Sequence, residues 1–507
     1  APSVMPADST NLYDAYCGGF PEDRSAPLLT TEGGLSYTYE EAEKRCAQLA
    51  NLLLDAGLAP GSRVTVQVEK SPQFLFLYLA VLRAGLVFHP LNTAYGRDEL
   101  AYFLADAAPG LVICDSAREG LFTELCGNLP DARVLTLDAD GGGSLMQSAL
   151  ALATEFDTVA TGGDDMAALL YSSGTTGRPK GIVLTHENLV HNARALNRYW
   201  GFSRDDTLLH ALPVYHVHGL FVAFGCVLLS GASMRWLPGF EAGRVVEGLA
   251  GCTVMMGVPT YYTRLLAEPA FSREACAGMR LFISGSAPLL PETHDRFRAL
   301  TGHAILERYG MSETGILTSN PLTGERRAGT VGFPLPGVSL RVAGPDGVAV
   351  ANGDVGNIQV KGPNVFPGYW KLPDKTAEDF TEDGFFNTGD KGLIDKDGYL
   401  AIVGRAKDLI ITGGLNVYPR EVELLIDDIA GVVESAVIGV PHPDFGEAVT
   451  AIVVIEAGAA LEVEDIIGHV RARAANFKVP KKVFLVEGLP RNAMGKVQKN
   501  LLREQYA

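Results

Sequence analysis

Eleven residues, Tyr171 to Gly181, read Y-S-S-G-T-T-G-R-P-K-G and concentrate hydroxyls, glycines and one lysine in a single stretch. Gly174, Gly177 and Gly181 let the backbone approach phosphate oxygens, Ser172, Ser173, Thr175 and Thr176 supply donors, and Lys180 supplies positive charge. This is chemistry for a polyphosphate, and a nucleotide such as ATP is the natural guest. Gly, Ser and Thr are also ordinary turn residues. A run this dense, ending in lysine and followed by the apolar Ile182-Val183-Leu184, is nevertheless rare by chance. Gly181 follows Lys180, so no Ser or Thr stands beside the lysine to hold magnesium, and the Walker A reading weakens.

Six further stretches carry residues that suit the same ligand. Ser284-Gly285-Ser286-Ala287-Pro288 is a run of small residues where a strand end could admit the flat face of adenine. In Tyr309-Gly310-Met311-Ser312-Glu313-Thr314 an aromatic for stacking, a hydroxyl for phosphate and a carboxylate for Mg²⁺ lie together. Thr388-Gly389-Asp390 supplies an acid able to bind both ribose hydroxyls, and Arg405, in G-R-A-K-D, is available to the same ribose. Gly413-Gly414-Leu415-Asn416 offers unhindered backbone, and Pro490 to Lys496 ends in a lysine. Each has a dull explanation alone: T-G-D is a common turn, and a lysine near a terminus is usually a solvated charge. Their joint, ordered occurrence is what carries weight.

Taken in order, these motifs resemble the adenylate-forming superfamily, which includes acyl- and aryl-CoA synthetases, firefly luciferase and the adenylation domains of nonribosomal peptide synthetases. The resemblance spans nearly the whole chain. It implies two half-reactions: a carboxylate attacks the α-phosphate of ATP to give an acyl-adenylate and pyrophosphate, and the thiol of CoA then displaces AMP. By the same resemblance, Lys496 would bridge the attacking carboxylate and the α-phosphate, and Thr175, Thr176 and Lys180 would hold the β- and γ-phosphates. Glu313 would bind Mg²⁺, Asp390 and Arg405 would hold the ribose, and Glu307 to Ser312 would contribute to the nucleotide site. A small C-terminal domain would rotate about Lys407, withdrawing Lys496 and presenting Gly413 and Gly414 to the pantetheine arm. Lys496 is also a candidate for lysine acetylation, as in related synthetases.

Arg264, in P-T-Y-Y-T-R, and Arg308, in E-R-Y-G-M-S-E, fall in the region expected to line the acyl pocket. An unpaired charge in an apolar pocket is costly, so two cations suggest a substrate with a second carboxylate, which arginine grips through paired, charge-assisted bonds. His216, in Y-H-V-H-G-L, could add a donor. The phrases L-P-V-Y-H-V-H-G-L-F, V-P-T-Y-Y-T-R-L-L, L-E-R-Y-G-M-S-E-T and G-G-L-N-V-Y-P look like malonyl-CoA synthetases, in which the matching histidine and arginines contact the free malonate carboxylate. Two departures stand out. Ser312 replaces the usual threonine, a mild change, and Ile316-Leu317 stands where a methionine-asparagine pair is usual, implying a less polar pocket wall and leaving methylmalonate open as a substrate.

Other readings have less behind them. His216-x-His218 lacks neighbours to complete a zinc site, and there is no G-x-S-x-G elbow for a serine hydrolase. A nucleotide-sensing scaffold need not keep Lys496, Glu313 and Asp390, and all three are present. A CoA ligase for another short acid, or a standalone adenylation enzyme loading a carrier protein, would share the first half-reaction; no carrier domain is evident in the chain.

The elements that must position these groups alternate along the chain. Apolar residues recur at helical spacing over 39–56 and 74–84, while 64–68, 111–114, 208–212, 253–257 and 280–284 read as strands, an α/β pattern. Beyond about residue 320, short strands among Gly, Pro and Asp turns (355–360, 398–403) suggest a β-rich subdomain. A compact α/β unit follows, with helices over 418–429 and 464–475 and strands over 435–440 and 449–455. The expected organisation is therefore a large N-terminal domain, 1–405, of α/β subdomains plus the β-rich one, and a small mobile α/β C-terminal domain, 406–507.

With 507 residues, more than one domain is expected. The 42 basic and 59 acidic residues give a formal charge of −17, which argues against nucleic acid as a partner. Local positive groups must hold any anion. Seven scattered cysteines without a C-x-x-C pair suggest neither a disulfide framework nor a zinc cluster, and fit a reducing cytosol. The apolar runs are too short to span a bilayer, and the first ten residues lack a signal-peptide pattern and read as a loose tail. A cytoplasmic enzyme acting on small molecules is the expectation.

Overall fold

The computed structural model describes residues 9–172, 178–413, 415–474, 476–493 and 495–507. It divides into two compact units. One comprises the chain through Ser172 together with Gly181–Val338 and Lys361–Thr376; the other comprises, of the described residues, 178–180, Ser339–Val360 and Ala377–Ala507.

The first unit is built on two mixed sheets. Among the described residues, one has nine strands, and its central run is parallel, in the order Leu306–Met311, Leu281–Ser284, Val254–Gly257, Thr207–His210, Ser233–Trp236 and Pro27–Thr31. Antiparallel strands close both sides: Ser36–Thr38 at one, Gly315–Ser319 and Phe333–Pro334 at the other. The other sheet has six strands, with Arg133–Thr136, Leu111–Cys114, Arg63–Gln67, Val87–Pro90 and Met166–Tyr171 in parallel order and Gly181–Thr185 antiparallel beside the last. Parallel strands bring their carboxyl ends to one side of a sheet, where the following loops collect. In the nine-stranded sheet those ends are Met311, Ser284, Gly257 and His210, so Ser284 to Pro288, Arg308 and the histidine-bearing segment after His210 gather from three stretches of chain.

The helices follow from their ends as much as from their faces. Thr38 and Glu41 form a reciprocal capping box at the start of Tyr39–Asp55, and Thr185 with Asn188 does the same for His186–Tyr199. Ser71 caps Pro72–Arg83, whose proline at the first turn needs no donor. That helix begins two residues before the apolar run predicts and is buried along almost its full length. Tyr78 packs against Phe88, Phe221 and Phe224, and Phe224 stacks on Trp236 with ring centroids 5.9 Å apart. This aromatic core links the two halves of the first unit beneath the histidine segment.

The second unit holds a four-stranded sheet, ordered Ser339–Ala343, Gly356–Lys361, Phe386–Ile394 and Leu400–Arg405, and a five-stranded sheet centred on Val432–His442 and Gly446–Ile455. The helices Pro419–Asp427 and Val463–Arg471 bury Val422, Ile426, Ile466 and Val470 on Val437, Val449, Ala451 and Val453 of the latter. Val463–Arg471 is shorter than its apolar period suggests.

Candidate functional site

Arg308 lies on Leu306–Met311 and is only 5% exposed, yet its Nε and Nη2 find no hydrogen-bond partner in the protein. Burial pulls the guanidinium down to about 10, leaving it cationic at neutral pH. A buried donor left unpaired costs roughly 1–3 kcal/mol, more when charged, so this group is organised for a ligand. Gly285 makes room for it: a Cβ there would lie 2.2 Å from the Arg308 Cζ. A side chain there would have to displace the guanidinium.

His218 completes the same corner. It is 5% exposed, its Nδ1 lies 3.3 Å from the Ser286 Oγ, and its Nε2 has no partner. Burial first, and then the neighbouring Arg308, His210 and His216, hold it well below the usual imidazole range, so it is neutral. The Ser284 hydroxyl, on the adjoining strand end, is likewise buried without a partner. Ser286 has φ +71°, a left-handed conformation that a side chain adopts only under constraint. An unpartnered cation and an unpartnered imidazole therefore share one corner of the first unit, while the Ser284 side chain, in register with Glu307, projects from the other face of the sheet.

The structure sorts the other acyl-pocket candidates. His216 is half-buried, with its ring edge-on to Tyr215. Arg264 is exposed on Pro259–Ala267, near enough to Tyr261 to be felt electrostatically. Ile316 and Leu317 are buried, and Asn192 bonds both the Ile316 N–H, at 3.0 Å, and its carbonyl, at 2.8 Å. His218 was considered from sequence only as a zinc ligand. The sequence clue to its role was its place two residues after His216 in the same Y-H-V-H motif.

Glu307 and Arg308 are successive residues of a strand and point to opposite faces. Glu307 is 6% exposed and its carboxyl is pushed up to about 8 by burial, opposed by the Gly329 N–H at 3.3 Å. Tyr309, Gly310, Met311 and Ser312 follow, half-buried, and Gly310 is pressed so close to Gly315 that a Cβ would meet its carbonyl oxygen at 2.3 Å. Glu313 is buried; its carbonyl accepts from Phe366 N at 2.8 Å, and Tyr369 Oη stands 3.5 Å from its Oε1. Asn364 bonds the Thr314 carbonyl at 2.8 Å, so the backbone under this carboxylate is pinned. Its hard anionic oxygens suit Mg²⁺. Ala287 and Pro288 are exposed beyond the strand end.

Ser173, Gly174, Thr175, Thr176, Gly177 and Gly414 lie outside the described residues. Tyr171 and Gly181 are register partners of an antiparallel pair, with Ser172 the next residue after the one and Lys180 the residue before the other. Tyr171 donates to Asp106 at 2.6 Å, anchoring one strand of the pair.

In the second unit, Asp390 and Arg405 are register partners on neighbouring antiparallel strands, and the guanidinium donates to the carboxylate at 2.8 Å. Asp390 is buried and Arg405 exposed, an arrangement in which a vicinal diol could be received by the acid with the cation beside it. Lys407 occupies a short turn after Arg405. Burial chiefly lowers its pKa, Asp408 opposes this, and Arg405, Arg503 and Lys496 add to it, so Lys496 comes within electrostatic reach of Lys407. Arg503 ties the last helix to Asp408 at 3.2 Å. Lys496 is exposed on a turn in which Asn492 Oδ1 accepts from its N–H at 3.0 Å. Gly413, φ +56°, starts the turn between Ile410–Thr412 and Leu415–Val417.

Comparison with known proteins agrees with these features. The family model for AMP-binding enzymes matches residues 14–370, and that for the AMP-binding enzyme C-terminal domain matches 421–496. The crystal structure of ATP-bound MatB from Rhodopseudomonas palustris superposes with a TM-score of 0.95 and 51% identity, covering 98% of this chain and 99% of that one. A malonate–CoA ligase of Arabidopsis thaliana is 34% identical over 99% of this chain and 90% of its own length. A sulfoacetate–CoA ligase of Cupriavidus necator is 37% identical over 93% of each. The chain belongs to the AMP-binding enzyme family: it has the adenylate-forming fold, a large α/β N-terminal domain with several sheets and a small C-terminal domain, and it is an AMP-forming acid–CoA ligase using ATP, Mg²⁺ and CoA.

Proposed function

We propose that the acid is malonate and the product malonyl-CoA, with AMP and pyrophosphate released. The observation that carries this reading is the buried Arg308 with two unpartnered nitrogens, beside neutral His218. A monocarboxylate has nothing to offer that guanidinium once its own carboxylate is engaged at phosphorus. A dicarboxylate does: one end reacts while the other takes paired bonds from Arg308. Arg264, exposed on Pro259–Ala267, serves the pocket mouth, with His216 as a further donor. The buried Ile316 and Leu317 favour tolerance of a small substituent, as in methylmalonate.

In the first half-reaction Lys496 neutralises charge that develops as the carboxylate oxygen meets the α-phosphorus, while Thr175, Thr176 and Lys180 retain the pyrophosphate and Glu313 holds Mg²⁺. Asp390 and Arg405 orient the ribose. The thiol then needs an open path to the acyl carbon, so residues 406–507 turn about Lys407, Lys496 withdraws and Gly413 and Gly414 line the pantetheine path. Acetylation of Lys496 would remove the charge the first step uses. No helix among the described residues is long and apolar enough to cross a membrane, and the seven unbridged cysteines support a reducing, cytoplasmic setting.

The test supplies ATP, CoA and, separately, malonate, methylmalonate, succinate, sulfoacetate, acetate and benzoate, with thioesters identified by mass spectrometry. Malonate should lead. Preference for acetate or benzoate would refute the second-carboxylate argument, and preference for sulfoacetate would keep the anion pocket while replacing the acid.

A further inference from the structure

Lys70 follows the strand Arg63–Gln67 and lies 140 residues before the segment it touches. Its ammonium donates to His210 Nδ1 at 2.7 Å, to the His210 carbonyl at 3.0 Å and to the Leu212 carbonyl at 2.9 Å. It also sits 4.9 Å from the Trp236 ring centroid, and Trp236 in turn stacks on the His210 imidazole. Among the described residues Lys70 is in no ion pair. Burial lowers its pKa well below the ordinary lysine range, yet three acceptors converge on it and only the ammonium form has three protons to give.

The far side of His210 explains what this arrangement is for. Its Nε2 lies 2.8 Å from the Gly219 carbonyl, which can only accept, so the ring proton is on Nε2 and Nδ1 must accept from Lys70. The imidazole is thereby a strut joining the two ends of the segment between 210 and 219, the one that carries His216 and His218. Close packing finishes the closure: a Cβ on Gly219 would lie 1.9 Å from the Pro213 carbonyl oxygen. The Leu220 N–H caps the His216 carbonyl at 3.0 Å.

We infer that Lys70 is a positioning residue for acid recognition: by fixing His210 as the Nε2–H tautomer and bonding the carbonyls of 210 and 212, it holds His216 and His218 in place beside Arg308. This rests on the reading of that corner as the acid pocket. Lys70 touches no reacting atom. Its removal leaves His210 free to exchange tautomers, and with Nδ1 protonated the Gly219 carbonyl faces a bare nitrogen and the strut fails.

The experiment compares wild type, Lys70→Met and Lys70→Arg, with His210→Gln used to assign the His210 signal in spectra of ¹⁵N-histidine-labelled full-length protein. In K70M the His210 nitrogen shifts should move from a single Nε2–H form to a mixture. The KM for the acid should rise about tenfold or more, the equivalent of one hydrogen bond, while kcat and the KM for ATP stay within about twofold. K70R, which retains charge and donors, should recover part of the loss and serves alone if K70M does not fold. An unchanged His210 tautomer, an unchanged acid KM, or equal rises for acid and ATP would overturn the inference. Failure of the malonate reading is distinguishable, because wild type would then turn over a different acid, whose KM and the tautomer signal still report on Lys70.

Discussion

Replacing Arg308 with methionine should make the ligand-free protein more stable and the enzyme worse, two effects of opposite sign from one cause. In the free protein the guanidinium is 5% exposed with Nε and Nη2 unpartnered. Removing an unpaired buried cation and leaving an apolar side chain of similar length relieves about 1–3 kcal/mol. In the complex those two nitrogens would each make a charge-assisted bond to the distal carboxylate, at about 1.5–3 kcal/mol apiece. Losing both therefore amounts to about 3–6 kcal/mol, or roughly 10²–10⁴ in kcat/KM for malonate. Acetate, with no distal carboxylate, should lose little. The assay pairs pyrophosphate release with malonate and with acetate against thermal unfolding without ligands. Equal loss with both acids, or a lower unfolding temperature in R308M, would refute the reasoning, since either would make Arg308 a structural residue.

Three further outcomes follow from the same geometry. Glu307 has a carboxyl raised to about 8 by burial, so it favours folding while protonated. Its contribution is complete below the unfolded pKa near 4.5 and is lost as pH rises toward 8. Glu307→Gln should therefore match wild type in urea unfolding near pH 4.5 and exceed it increasingly up to about pH 8, with a slope of up to about 1.4 kcal/mol per pH unit in that window, and level off above it; a pH-independent difference would contradict this. Gly285→Ala places a methyl 2.2 Å from the Arg308 Cζ, and should raise the malonate KM about tenfold or more by displacing the guanidinium, with the KM for ATP as the control that should hold. Lys496→Ala should abolish adenylation, read by pyrophosphate exchange, while thioester formation from supplied malonyl-AMP persists; parallel loss of both steps would count against a lysine that serves only the first.

The sequence by itself carried the local information. Residues 39–55, 111–114 and 281–284 adopt the helix and strands their periodicity predicts, because side-chain spacing along a few turns or one strand is enough to specify which face is buried. The motifs at Tyr171, Tyr309, Asp390 and Lys496 stand out in the same local way, since the residue types proposed to meet a nucleotide lie within a few positions of one another. What it could not show is which charge is buried. Arg264 and Arg308 look alike in sequence as cations near a pocket, yet Arg264 is exposed on a helix and Arg308 is enclosed beneath Gly285, just past the end of the neighbouring strand. His216 was the evident candidate, and His218 is the one enclosed. Lys70 carried no signal at all, because its partners lie 140 residues away. The parallel ordering of Leu306–Met311, Leu281–Ser284, Val254–Gly257 and Thr207–His210 brings Arg308 and the histidine segment to the same ends of one sheet, and the six-stranded sheet brings Lys70 to His210. Desolvation depends on everything packed around an atom, so the charge state of Arg308, His218 and Lys70 was decided by tertiary structure.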